Sequence, residues 1–303
     1  MDLVSLRYFA ETARQRSISK AAASLGVVQP ALTRRIQLLE ESVGTPLLMR
    51  HRRGVEPNEA GRLVLERAEV ILRLVQQLET DLRFHGQEPA GPVAMGFPPS
   101  IGILFVGRIL SECSARHPRI KLLLNENYAN AVRNGLLSGQ LDIGIMSCEA
   151  HHPDLHQTPL FREAMWLVGR PQDWAFTENP LCPSRLDRLP LVVGSFMRTL
   201  LEKNLSKEQV RLNVVAEVDS LSLAKEAVRA GAGYFVTPFS ALDRELGQGE
   251  FSGARLEGLD VSRGLFSHRD RPLTRASLVL AEMIKAEAAQ LCAARPDVFR
   301  PIT

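Results

Sequence analysis

The tightest constraint on this chain lies in residues 3–57. Leu3, Leu6, Phe9, Ala10 and Ala13 recur at helical spacing. A turn at Gln15-Arg16-Ser17 follows, and Ser17 or Ser19 can cap a short helix over 20–25 that stops at Gly26. After Val27-Val28 a third helix opens with Gln29-Pro30, where proline is tolerated because a first-turn N–H has no partner. Ala31, Leu32, Ile36, Leu39 and Val43 form its apolar stripe, and Gly44 closes it. Two short helices joined by so tight a turn must bury their stripes against the first helix, which is the geometry of a helix-turn-helix. Leu47–Arg50, His51-Arg52-Arg53-Gly54 and Val55-Glu56-Pro57 then read as a hairpin-like wing, with Asn58 as the N-cap of the next helix.

The chemistry of this head suits a polyanion. Gln29, Thr33 and Arg34 project from one side of the third helix near its start. Gln pairs with adenine, Arg with guanine, and a threonine methyl can touch thymine. Ser19, Lys20, Pro30 and Arg35 complete the candidate DNA-contacting set, and Arg52 and Arg53 of the wing offer cations to phosphates or the minor groove. Charge agrees with this: residues 1–60 carry nine Lys/Arg against six acids, whereas residues 89–303 are nearly balanced at 24 against 23.

From 58 to 85 there is no proline and a single early glycine, so one long helix is expected. Val64, Ala68, Ile71, Val75, Leu78 and Leu82 alternate spacings of four and three, the pattern of a coiled-coil seam between subunits. Gly86 to Pro92 reads as a linker. Beyond it, strands are expected over 93–97, 121–125, 141–146, 165–168, 191–193, 210–217 and 234–237, and helices over 101–115, 130–138, 197–204, 221–230 and 274–293. The alternation points to an α/β region built on open parallel sheets, which bind ligands outside the carboxyl ends of strands. A length of 303 residues suits two domains, and 45% hydrophobic with 23% charged residues suits buried cores. No run approaches the ~20 apolar residues of a membrane helix. Met1 to Arg7 lacks the basic start and apolar run of an export signal, and Cys113, Cys148, Cys182 and Cys292 lie far apart. A cytoplasmic protein with no membrane partner is therefore expected.

Several stretches make the chain resemble LysR-type transcriptional regulators over its full length. They are Leu6-Arg7-Tyr8-Phe9, Ser19 to Leu25, Gln29 to Ile36, Leu38-Leu39-Glu40, Pro46-Leu47-Leu48 and Arg53 to Pro57. Asn58-Glu59-Ala60-Gly61 stands where the family usually has Thr-x-x-Gly, and Gly135 to Ile145 is similar to its Leu-x-x-Gly-x-Leu-Asp signature. Val228 to Gly233, running on to Thr237-Pro238, is similar to another. The resemblance implies a winged helix-turn-helix over 1–58 and a dimerising linker helix over 59–88. It further implies an effector domain over 92–303 with two lobes like periplasmic binding proteins, about 92–162 with 267–303, and about 163–266. Crossover strands are expected near 160–165 and 264–268.

In that family a small effector lies between the lobes against hydroxyls and amides at helix starts, where unpaired N–H groups gather. Carried over, the candidate contacts are Pro99, Ser100, Ile101, Asn127 and Tyr128 on one lobe and Ser195, Phe196, Asp219 and Thr237 on the other. Pro98 and Pro99 remove two amide donors, and Ala129 stands where the family frequently has Ser or Thr. No cofactor is expected. The implied partners are an operator in double-stranded DNA, an effector, a second copy in a dimer or tetramer, and RNA polymerase. Two other classes compete. An enzyme would need a motif that is missing: no Gly-x-Ser-x-Gly, His-Glu-x-x-His or phosphate-binding loop occurs. A constitutive DNA binder whose second domain only oligomerises differs from the ligand-responsive reading in one observable, the effect of ligand on DNA binding.

Overall fold

The computed structural model describes residues 1–51, 54–83, 88–150, 152–205 and 210–302. Two compact units emerge, Met1–Gly91 with Ser138–Gln140, and Pro92–Leu137 with Leu141–Thr303.

The first unit contains α1 (Leu3–Gln15), α2 (Ile18–Leu25), α3 (Gln29–Val43), β1 (Leu48–His51), β2 (Gly54–Pro57) and α4 (Glu59–Arg83). Local chemistry sets each boundary. Asp2 caps α1 by accepting from the Ser5 N–H at 2.7 Å, and Ser17, not Ser19, caps α2 through the Lys20 N–H. Gly26 turns left-handed at φ 65° and donates back to Ala22 and Ala23, ending α2. Glu40 at the end of α3 accepts from the Leu47 and Leu48 N–H groups, which anchors β1. Two glycines are sterically required: a Cβ on Gly54 would lie 2.3 Å from the Arg16 carbonyl oxygen, and one on Gly61 2.0 Å from that of Leu47. Asn58 caps α4 by accepting from the Gly61 N–H at 2.8 Å. Leu6, Phe9, Leu39, Leu47 and Ala68 form one buried cluster, and Ala21, Ala22, Leu32 and Ile36 another.

The second unit carries β3 (Gly91–Phe97), α5 (Pro99–Arg116), β4 (Ile120–Glu126), α6 (Ala129–Ser138), β5 (Ile143–Ser147), β6 (Leu155–Gly169), β7 (Pro190–Val193), α7 (Ser195–Leu205), β8 (Asn213–Glu217), α8 (Leu221–Arg229), β9 (Tyr234–Pro238), α9 (Asp243–Gly247), β10 (Ser252–His268), α10 (Arg275–Ala294) and β11 (Phe299–Arg300). The strands follow the order β4-β3-β5-β10-β6-β9-β7-β8, with β11 on β6. The expected all-parallel sheets are corrected here. β3 with β5, and β7 with β8 and β9, are parallel, but β10 pairs antiparallel with both β5 and β6, and β6 antiparallel with β9.

Beyond its last few residues, the 17-residue strand β10 was not expected from the sequence. Its polar alternation is broken by Gly258 at φ 69° and by a register shift between Arg255 and Asp260, so no clean period of two survives. Similarly, β6 begins at Leu155, before the crossover expected near 160–165, and runs through the stretch expected over 165–168. These two long strands connect two cores. Phe161 and Leu265 pack with Phe97, Ile101, Phe105 and Ile284, whereas Met165, Leu167 and Val261 pack with Leu191, Leu201 and Val236.

Candidate DNA-reading face and ligand cleft

On the first unit, Gln29, Pro30, Thr33, Arg34, Gln37 and Arg50 line one shallow surface groove. Gln29, Thr33 and Gln37 are successive i, i+4 positions of α3, so they share a face. Val28 precedes α3 without a side-chain cap. Gln29 is held in place from α2, because its Oε1 accepts from the Ser19 hydroxyl at 2.9 Å. Lys20 is exposed on α2. Arg35 turns elsewhere and its Nη1 lies 3.3 Å from Asp2 of α1. Arg52 and Arg53 lie outside the described residues. Gln37 and Arg50 were missed, although the four-residue step from Thr33 and the place of Arg50 beside the wing were readable.

The expected seam on α4 divides. Ala68 is fully buried against Leu6, Phe9, Leu39 and Leu47, and Val64 packs half-buried on the same cluster. Both are corrected to the unit's own core, since the first half of α4 lies along α1. Ile71, Leu78 and Leu82 are exposed, as are Leu63 and Leu74, and Val75 is half-buried.

The second unit holds a cleft of about 640 Å³, counting its open mouth. Pro99, Ser100, Tyr128, Phe196, Asp219 and Thr237 line it, joined by Val218, Phe235, Val261 and Arg263, which sequence reasoning did not find. Ile101 is corrected to the core, where it is completely buried. Asn127 lines the adjoining outer groove. Ser195 is engaged by Asp219, whose carboxylate accepts from its N–H at 2.8 Å and its hydroxyl at 2.6 Å. The start of α7 is thus already matched with a negative charge supplied by the protein itself.

At the floor of the cleft sits an ion pair between the two long strands. Val261 lies opposite Glu163 in the ladder, and Arg263, two residues on, shares its face. The Arg263 guanidinium donates from Nε at 3.3 Å and from Nη2 at 3.2 Å to Glu163, and Nη2 lies 3.3 Å from the Ser100 hydroxyl. Glu163 is fully buried and also accepts from the Ser240 N–H at 2.7 Å. The first turn of α5 is capped by no side chain, and the Ile101 and Gly102 N–H groups return to the Pro98 carbonyl. Burial, and then the nearby Asp219 charge, raise the Tyr128 phenol above its ordinary pKa. Among the described residues no cluster of His, Cys, Asp and Glu could hold a metal ion, and no helix is long and apolar enough to cross a membrane.

Comparison with known proteins gives concordant matches. Residues 3–62 match the family model described as "Bacterial regulatory helix-turn-helix protein, lysR family", and residues 86–289 match "LysR substrate binding domain". The HTH-type transcriptional regulator BbuR of Bordetella bronchiseptica is 28% identical over 95% of this chain and 90% of its own length. The uncharacterized HTH-type transcriptional regulator YusT of Bacillus subtilis is 30% identical over 82% and 83%. Among solved structures, a full-length single-substitution variant of OxyR from Pseudomonas aeruginosa superposes with a TM-score of 0.71 at 23% identity, covering 94% of this chain and 95% of that one.

Proposed function

Because the chain belongs to the LysR family of bacterial helix-turn-helix regulators, we propose that it is an operator-binding transcriptional regulator switched by a small molecule held in the cleft of its second unit. Its domains are then a reading head over 1–58, a linker helix over 59–83 and an effector domain over 92–303 with lobes about 92–162 plus 267–303, and about 163–266. Gln29, Thr33 and Arg34 read bases, while Lys20 and Arg50 hold phosphates, together with Arg52 and Arg53. Two copies joined through Ile71, Leu74, Leu78 and Leu82 of α4 would read two half-sites on one DNA face, about one helical turn or a multiple of it apart. Effector binds the closed form of the cleft better than the open form, and that population shift alters how the oligomer engages its operator.

One observation carries the ligand-responsive part. The cleft joins an apolar lining to polar groups that the protein leaves available, notably the Thr237 hydroxyl, which no protein group bonds among the described residues. The test is footprinting on DNA flanking the protein's own gene, with and without a panel of small acids, aromatics and amines. A footprint whose length or affinity changes with one compound class is the expected result. A footprint that no compound changes would leave a constitutive DNA binder, and no footprint at all would remove the DNA assignment.

A further inference from the structure

The charges lining the cleft narrow the class of ligand it can take. Among the described residues, Asp219 and Arg263 are the two charged side chains that line it. Arg263 is neutralised from behind by Glu163, which is itself fully buried. Among the described residues Asp219 has no cationic partner; its oxygens accept from the N–H and hydroxyl of Ser195. The cleft and its floor therefore carry one negative charge in excess.

Several features that would welcome an anion are absent or already used. Prolines 98 and 99 have no N–H to give, and Ala129 at the start of α6 has no hydroxyl. The Ser195 N–H at the start of α7 is taken by Asp219. A carboxylate ligand would have to approach Asp219 or share Arg263 with the buried Glu163, and either brings like charges together. The adjoining groove repeats the bias, with Glu126, Asp219, Glu226 and Glu245 against Lys225 and Arg229. Both of those cations are engaged, Lys225 with Glu245 at 2.6 Å and Arg229 with Glu226 at 2.6 Å. Such a field draws cations toward the mouth.

We propose that this cleft takes a compact, mostly apolar amine, its ammonium group facing Asp219 between the rings of Tyr128 and Phe196, and that it discriminates against carboxylates. The inference rests on the ligand-responsive reading above. Both rings line the cleft and are partly exposed in it, and aromatic faces attract ammonium groups where a carboxylate is near. Val218, Phe235 and Val261 supply the apolar wall for the body of the ligand.

The experiment compares two matched sets of probes on the full-length protein at pH 7 and fixed ionic strength. The sets are benzylamine, benzamide and benzoate, and phenethylamine, phenylacetamide and phenylacetate. Calorimetric titration should rank amine before amide before acid, with the amine bound about tenfold or more tighter than the acid. Asp219→Asn, which keeps an acceptor for the Ser195 N–H, should remove the amine's advantage and leave amide binding unchanged. Val218→Trp, which puts an indole into the cleft, should abolish binding of every probe. Acid bound more tightly than amine, with that binding lost in Val218→Trp, overturns the charge assignment and leaves the cleft as the ligand site. Equal losses of amine and amide in Asp219→Asn make Asp219 a structural residue and overturn the proposal. Absence of binding by all six probes overturns this inference and counts against the ligand-responsive reading as well.

Discussion

Arg34 and Arg50 line the same groove, yet their elements predict different roles. Arg34 projects from the first turns of α3, where a recognition helix meets base edges, and Arg50 comes from β1 at the wing, which borders the backbone. Arg34→Ala should relax specificity at one position of the half-site and cost ~1–3 kcal/mol there. Arg50→Ala should weaken all sequences alike and lower the salt slope by about one unit. Binding to a half-site library at several salt concentrations separates them, and a uniform loss in Arg34→Ala would move that residue to the phosphates. A second residue-scale expectation concerns the thiols. Burial, then the neighbouring Glu149, push the Cys148 thiol up to about 11, despite the opposing Arg263 charge. The folded state therefore favours the neutral thiol. Any stability it contributes is complete below the ordinary value of 9.0 and is lost as pH rises toward about 11. At pH 8, iodoacetamide should modify the exposed Cys182 well before Cys148, as peptide mapping will show. Equal rates would mean that Cys148 ionises freely.

At the scale of an element, α4 has two jobs along its length. Ala68 is fully enclosed by the head, while Ile71, Leu74, Leu78 and Leu82 are exposed in steps of three and four. That stripe gives a reason for a partner helix, because a row of large apolar side chains facing water is stabilised by covering it. Ile71→Glu should weaken self-association by several kcal/mol, since a carboxylate in such a seam is buried unpaired or the helices part. Operator affinity should fall with it. Ala68→Leu should act differently, overpacking the head by ~1–3 kcal/mol and lowering its melting temperature while sedimentation stays unchanged. A dimeric Ile71→Glu protein would place the interface elsewhere.

For the molecule as a whole, the Glu163–Arg263 pair ties the two long strands together where they pass between the two cores of the second unit. A buried pair contributes little net stability over an apolar replacement, but breaking it leaves a naked charge. Glu163→Gln should therefore cost ~3–5 kcal/mol in urea unfolding, and Glu163→Met with Arg263→Met should recover much of that loss. If the double variant is as unstable as Glu163→Gln, the two effects are not coupled through the pair. The same double variant removes the charges beneath the cleft in equal number, so it should preserve the preference for amines over acids.

What the sequence determined by itself is mostly local. The caps Ser17 and Asn58, the stop at Gly26 and the stripe of α3 act within a turn or two, so the head and Gln29, Thr33 and Arg34 were legible before any fold was known. The alternation of strands and helices likewise marked an α/β region, and Ser100, Tyr128, Phe196, Asp219 and Thr237 were legible through the family resemblance. Tertiary structure alone decided the rest. Whether an apolar residue of α4 faces its own core or water depends on where α1 lies, which periodicity does not state. The strand β10 exists because β5 and β6 offer it ladders on both edges, although its own pattern is broken at Gly258. Arg263 became part of the cleft because register sets it beside Glu163, a hundred residues earlier, and Ser195 was withdrawn because Asp219 reaches it from the strand end after β8. Pairings over such separations are fixed by sheet register and packing, and no short stretch of sequence contains either.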